Sequence, residues 1–128
     1  MNPLKPSFAF LALLACTTCM AQEGTFTTRS LTTETALAAA RAALESCRKQ
    51  GYQVAVAVVD RAGLLQALLR DRFAGAHTVE VASNKAWTAA SFRTSTTDLA
   101  RETQPGMPMS GLRTLQRFLP AGGGLVIE

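Results

Sequence analysis

The feature that most constrains the fold is the run at residues 54–70. Val54-Ala55-Val56-Ala57-Val58-Val59 is apolar at every position and rich in β-branched side chains. Continuous apolarity without alternation predicts a strand covered on both faces. Asp60-Arg61-Ala62-Gly63 follows, with an aspartate to bond the local backbone and a glycine to take positive φ. A second apolar stretch then runs from Leu64 to Arg70. So short a connection makes the pair antiparallel, because a parallel pairing needs a long crossover.

Helical patterns flank this hairpin. Before it, Thr32 is placed to cap a helix whose apolar positions Ala36, Leu37, Ala40, Ala43, Leu44 and Cys47 recur at helical spacing, with Gly51 where a left-handed terminator belongs. The stripe is rich in alanine, which permits close approach to a sheet or another helix. After the hairpin comes the loop Asp71-Arg72-Phe73-Ala74-Gly75-Ala76-His77-Thr78, which holds the single histidine. Thr78 is expected to cap a second helix running to about Phe92, with Val79, Ala82, Ala86, Ala89 and Ala90 as its apolar stripe. Ser95-Thr96-Thr97-Asp98 has the form of a capping box and opens a short helix ending near Gln104. Residues 111–118 are expected to form one or two helical turns, and Leu125-Val126-Ile127 reads as the start of a strand.

The chain of 128 residues is enough for one domain. Residues 1–21 are set apart from the fold. Lys5 precedes the apolar run Phe8-Ala9-Phe10-Leu11-Ala12-Leu13-Leu14-Ala15-Cys16, and small residues follow around Ala21. This is the layout of a secretory signal peptide, and the run is too short to span a bilayer. Cleavage after Ala21 releases a periplasmic or secreted protein, with 22–30 as a polar, flexible tail and 31–128 as the domain. The alternative is a lipoprotein, since Leu13-Leu14-Ala15-Cys16 resembles a lipobox that would anchor the chain through Cys16. Loss of Lys5 takes the net charge from +4 to +3. The remaining charges are dispersed, with no basic run of the kind that marks a nucleic-acid surface. Of the three cysteines, only Cys47 lies beyond the signal segment, so the domain has no internal disulfide.

The order of elements carries a resemblance. A strand ending Val58-Val59-Asp60 is followed by the Arg61-Ala62-Gly63 turn, a strand ending Arg70-Asp71, and a helix start at His77-Thr78. Then come Asn84-Lys85-Ala86-Trp87-Thr88-Ala89 and Ser91-Phe92-Arg93-Thr94-Ser95-Thr96. This resembles the GlcG/HbpS-type family of haem-binding proteins, related to the C-terminal domain of PduO proteins, over about residues 31–127. The resemblance implies an α/β (α+β) domain of profilin-like architecture, with a central antiparallel sheet flanked by helices and assembled as homo-oligomers. It also implies haem as cofactor, in storage, scavenging or redox sensing, with a sensor kinase as partner in one branch. The alternative it leaves is a non-haem accessory module binding small organic acids. The ending departs from the family. Relatives continue past a Gly-Gly-Gly-Leu-Pro-Ile segment into another strand and a final helix, whereas here Val126 replaces the proline and the sequence closes at Glu128. The expectation is a sheet that depends on a partner strand or on oligomerisation.

A haem site needs an axial donor, an apolar slot and cations for the propionates. His77 is the strongest donor by side-chain chemistry and the first metal-ligand candidate. Thr88 is a second, weaker oxygen donor suggested by the family's variable ligation. Lys85 and Arg72, with Arg70 nearby, are candidates for the propionates, and Phe73 and Trp87 for the slot. Each has an ordinary alternative: a surface histidine, a packed helix threonine, solvated cations and core aromatics. Met107 and Met109 are thioether candidates or loop fillers. For catalysis the sequence offers no nucleophile elbow, no paired-carboxylate spacing and no Cys/His cluster. Gly122-Gly123-Gly124 lacks the Lys-Ser/Thr that completes a phosphate loop.

Overall fold

The computed structural model describes residues 24–127. The signal-like segment and its Cys16 lie outside the described residues. Residues 24–32 carry no regular structure. The elements that follow are α1 (Thr33–Lys49), β1 (Ala55–Val59), β2 (Leu65–Arg70), α2 (Thr78–Phe92), α3 (Thr96–Glu102) and a single 3-10 turn at Ser110–Thr114.

The two strands form the antiparallel hairpin expected from their short connection, with Val56 opposite Leu69 and Val58 opposite Ala67. A bulge between Val58 and Val59 shifts the register, so that Val59 faces Leu65. Asp60 organises the turn. Its Oδ1 accepts the amides of Ala62 and Leu64, each at 2.9 Å. Gly63 has φ +78°, and a Cβ there would stand 2.8 Å from Trp87 Cδ1. Both the turn and the close approach of the indole therefore require glycine.

The hairpin lies between α1 and α2. Ala36 and Ala40 of α1 are fully buried with Val58, and Val56, Ala67 and Leu69 pack around them. Those four strand residues share one face, since side chains alternate along a strand. Ala55, Ala57 and Leu68 occupy the other face, under α2. Both faces of β1 are thus covered as its composition predicts, yet Val58 is its only buried residue. The others are half-buried, no other described strand pairing with the outer edge of β1.

Several local expectations hold. Thr32 caps α1 by accepting the amide of Thr35 at 3.3 Å. Gly51 beyond that helix has φ +84°. Ser95 caps α3, accepting the Asp98 amide at 3.1 Å and donating to its carboxylate at 2.6 Å. The short helix after the Met107 loop is a 3-10 turn starting at Ser110.

Two expectations are corrected. Thr78 does not cap α2. It is the first helical residue, and its hydroxyl donates backwards to the Gly75 carbonyl at 2.7 Å, while His77 stands at the cap position without a side-chain capping bond. Residues 125–127 do not form a strand, because no backbone partner lies beside them among the described residues. One feature had no sequence signal: α2 ends on Arg93 in the left-handed conformation, φ 52°, ψ 38°, a position glycine usually fills.

The segment after α3 is fastened to α2 and α3 by polar contacts. Phe118 is buried and meets Phe92 edge-on, with ring centroids 5.0 Å apart. The Thr96 hydroxyl donates to the Ala121 carbonyl at 2.7 Å and accepts the Gly124 amide at 2.8 Å. The Thr96 amide in turn donates to the Gly124 carbonyl at 3.0 Å. A Cβ on Gly124 would lie 2.6 Å from Thr96 Cγ2 and 2.8 Å from the Lys85 carbonyl, so this approach needs glycine.

Candidate functional site

A groove of about 420 Å³ runs along the edge of β1 that no other described strand pairs with. Residues 53–57 form its floor, Ala43 and Cys47 of α1 one wall, and Thr78, Val81, Ala82, Lys85 and Ala86 of α2 the other. Gly123, Gly124 and Leu125 close one end. The slot exists because its lining is small: Ala43, Ala55, Ala57, Ala82, Ala86 and the glycines contribute nothing beyond Cβ. Its volume lies in the range of about 300–1,000 Å³ typical of small-molecule sites.

A smaller depression of about 200 Å³ adjoins it, lined by Arg48, Gln53, Asp71, Arg72 and Phe73. Gln53 borders both cavities. Asp71 is 2% exposed and accepts Arg48 Nε at 2.6 Å. Its other oxygen accepts the Val54 amide at 3.4 Å. The acid read from sequence as a strand-end residue is therefore the buried tie between α1 and the hairpin.

The four candidate residues fall in different places. Lys85 lines the groove, with Nζ donating to the Gly122 carbonyl at 2.8 Å. His77 is exposed at the start of α2, one residue before the groove-lining Thr78. Its ring rests against Gly75, where a Cβ would be 2.6 Å from the imidazole Cε1. Arg72 belongs to the smaller depression and stacks over Phe73, 6.0 Å from the ring centroid. Thr88 is fully buried on another side of α2. Its hydroxyl donates to the Arg117 carbonyl at 3.3 Å and accepts the Leu119 amide at 3.0 Å. Both of its hydrogen-bonding roles are thus taken by the C-terminal loop.

The aromatic candidates lie outside the groove. Trp87 packs against Gly63 and beneath Arg117, whose guanidinium sits 5.0 Å from the ring centroid. Phe73 is 79% exposed beside Arg72. Met107 and Met109 sit in an exposed turn. Among the described residues there is no group of three or more His, Cys, Asp or Glu placed to hold a metal ion. No described helix is long and apolar enough to cross a membrane.

Sequence reading missed Gln53 and the wall formed by Ala43 and Cys47. Their i, i+4 spacing was visible as part of the apolar stripe. What could not be seen was that this end of α1 reaches past the edge of the sheet.

This arrangement of an alanine-walled groove beside an antiparallel hairpin sits in a fold shared with known proteins. The chain belongs to the HbpS-like family, described as haem degrading protein HbpS-like, which matches residues 31–128. A crystal structure of HbpS superposes with TM-score 0.76 at 36% identity, covering 82% of this chain and 72% of that one. A double mutant of Streptomyces reticuli HbpS gives the same TM-score at 34% identity, covering 96% of this chain and 77% of that one. The PduOC:haem complex aligns with TM-score 0.61 at 33% identity, over 65% of this chain and 62% of that one. No curated protein matches the sequence. The α+β class and the family expected from the motif order are therefore established.

Proposed function

We propose that this chain is an exported haem-binding protein that takes the macrocycle into the groove beside β1. The observation that carries the reading is the groove itself: a slot lined mainly by alanine, valine and glycine, with a lysine on its lining, in a family described by its dealings with haem. A flat apolar ring suits a lining of small apolar side chains, and it gains by removing apolar surface from water. Lys85 is the residue to hold a propionate, exchanging the Gly122 carbonyl for a carboxylate. Arg72, across Gln53, is the second candidate cation, since Arg48 beside it is bonded to Asp71. His77, one residue before the groove-lining Thr78, would be the side chain to donate to the iron, being exposed and with no hydrogen bond on its ring among the described residues. Bound haem supplies the iron chemistry, and these residues seat and orient it. Export rests on the layout of residues 1–21.

Hemin titration of the mature protein, followed at the Soret band, tests this reading. The expected result is a saturable spectral shift. His77→Ala alters the band position, and Lys85→Ala weakens binding by roughly tenfold. A titration with no saturable shift overturns haem binding, and an unaltered spectrum for His77→Ala removes the ligand assignment. Sequencing the N-terminus of the protein recovered from outside the cytoplasm tests export, and retention of Met1 refutes it.

A further inference from the structure

The loop between β2 and α2 carries the single histidine on a firmly held backbone. Ala74 is buried; its amide donates to the Asp71 carbonyl at 3.1 Å, and its carbonyl accepts the Arg70 guanidinium. The Gly75 carbonyl accepts both the amide and the hydroxyl of Thr78, at 3.0 and 2.7 Å. The His77 carbonyl accepts the Val81 amide at 3.0 Å, which ties it into the first turn of α2. Backbone on both sides of the imidazole is therefore fixed by local bonds.

Backbone conformation does not require glycine at position 75. Its φ lies outside the left-handed region, unlike those of Gly51, Gly63, Gly106 and Gly123. What the position cannot hold is a side chain. A Cβ there would stand 2.6 Å from His77 Cε1 and 2.8 Å from Nδ1, but 3.7 Å from Nε2. The imidazole thus lays its Cε1–Nδ1 edge on the bare Cα of residue 75 and holds Nε2 away from it. An exposed side chain with two free torsions ordinarily spreads over several rotamers. A seat of this kind narrows that spread before any ligand arrives, so less freedom is lost on binding.

We propose that Gly75 is a positioning residue for His77, masking Nδ1 and presenting Nε2 as the nitrogen that donates to iron. This role rests on the haem reading of His77 and adds the choice between two ring nitrogens, which are distinct donors. Gly75 makes no bond to the metal and acts only through the imidazole. Any larger residue there pushes the ring off its seat. Because the ring is exposed it can swing into water, so the substitution moves the donor without unfolding the loop.

Measurements with and without hemin on the mature protein keep this role separate from haem binding. His77 is the only histidine in the chain, so its ring signals in an NMR spectrum are assigned by composition. Without hemin, a nuclear Overhauser contact is expected between His77 Hε1 and the Gly75 Hα protons. In Gly75→Ala that contact is lost and carbon relaxation at Cε1 reports faster ring motion, with circular dichroism unchanged. Hemin titration is expected to give Gly75→Ala a dissociation constant raised roughly three- to tenfold, and a Soret band moved towards that of His77→Ala. Ala76→Ser, a change at the exposed neighbour, matches wild type in both measurements. With diamagnetic zinc protoporphyrin as the probe, the larger nitrogen shift falls on Nε2. Absence of the Overhauser contact in the wild type, a Gly75→Ala titration matching wild type, or a larger shift at Nδ1 overturns the proposal. A wild type that shows the contact yet gives no saturable Soret shift refutes haem binding, and with it the iron-donor role, while the Gly75 seat stands.

Discussion

Arg48 and Asp71, 23 residues apart in the chain, join the last turn of α1 to the end of β2 through a 2.6 Å bond from Nε to Oδ1. The two partners differ sharply in burial, with the arginine side chain 51% exposed and the aspartate 2%. That asymmetry sets the expected outcome of breaking the pair. Arg48→Met strands a buried carboxylate with only the Val54 amide for company, at a cost of about 2–3 kcal/mol. Asp71→Asn lets the arginine turn to water while the amide side chain still reaches Val54, so it costs about 1 kcal/mol. Urea denaturation of the two variants measures the difference. Equal losses, or the opposite order, refute the assignment of Asp71 as the member that depends on the pair.

Thr88 separates a structural role from a ligand role. It is fully buried, with its hydroxyl engaged by the Arg117 carbonyl and the Leu119 amide. Thr88→Val keeps the shape and leaves both loop groups unpaired, which lowers stability by about 1–3 kcal/mol. Thr88→Ser restores most of it. The Soret maximum of hemin-loaded protein is expected to be the same in wild type, Thr88→Ser and Thr88→Val below the melting range. A shift of that maximum in Thr88→Val would make the threonine an iron ligand.

The parts of the fold legible in the sequence are those settled by chemistry within a few residues. Thr32, Gly51, Asp60 to Gly63 and the Ser95/Asp98 box each act on their own backbone neighbours, and each behaves as read. Thr78 departs from its expected role because a threonine at a helix start has two options. Its hydroxyl can accept from the turn ahead or donate to the turn behind, and the Gly75 carbonyl decides for the second. Residues 125–127 have strand composition, but a strand is a relationship to a partner, and none of the described residues stands there. Within the Asn84–Ala89 motif, Lys85 lines the groove, whereas Thr88 and Trp87 face other ways. The same six-residue stretch of helix serves the groove, the C-terminal loop and the hairpin turn, and only the rotation of α2 distributes those duties. Arg48 reads as a solvated cation from helical periodicity, since nothing local reveals that β2 ends beside it.

Two sets of alanines among the described residues differ in what surrounds them. Ala36, Ala40 and Ala89 have no accessible surface, whereas Ala55, Ala57, Ala82 and Ala86 are half-buried along the groove. A methyl group is the largest side chain the first set tolerates, because the interior is packed at crystal-like density. The second set has open space in front of it. Bulk added there is compatible with folding and narrows the slot instead. Evolution can therefore retune what enters the groove by exchanging alanine for valine or leucine one wall position at a time, without reopening the question of whether the domain folds. The architecture separates the freedom to change specificity from the obligation to preserve structure, and it does so with a single amino-acid type.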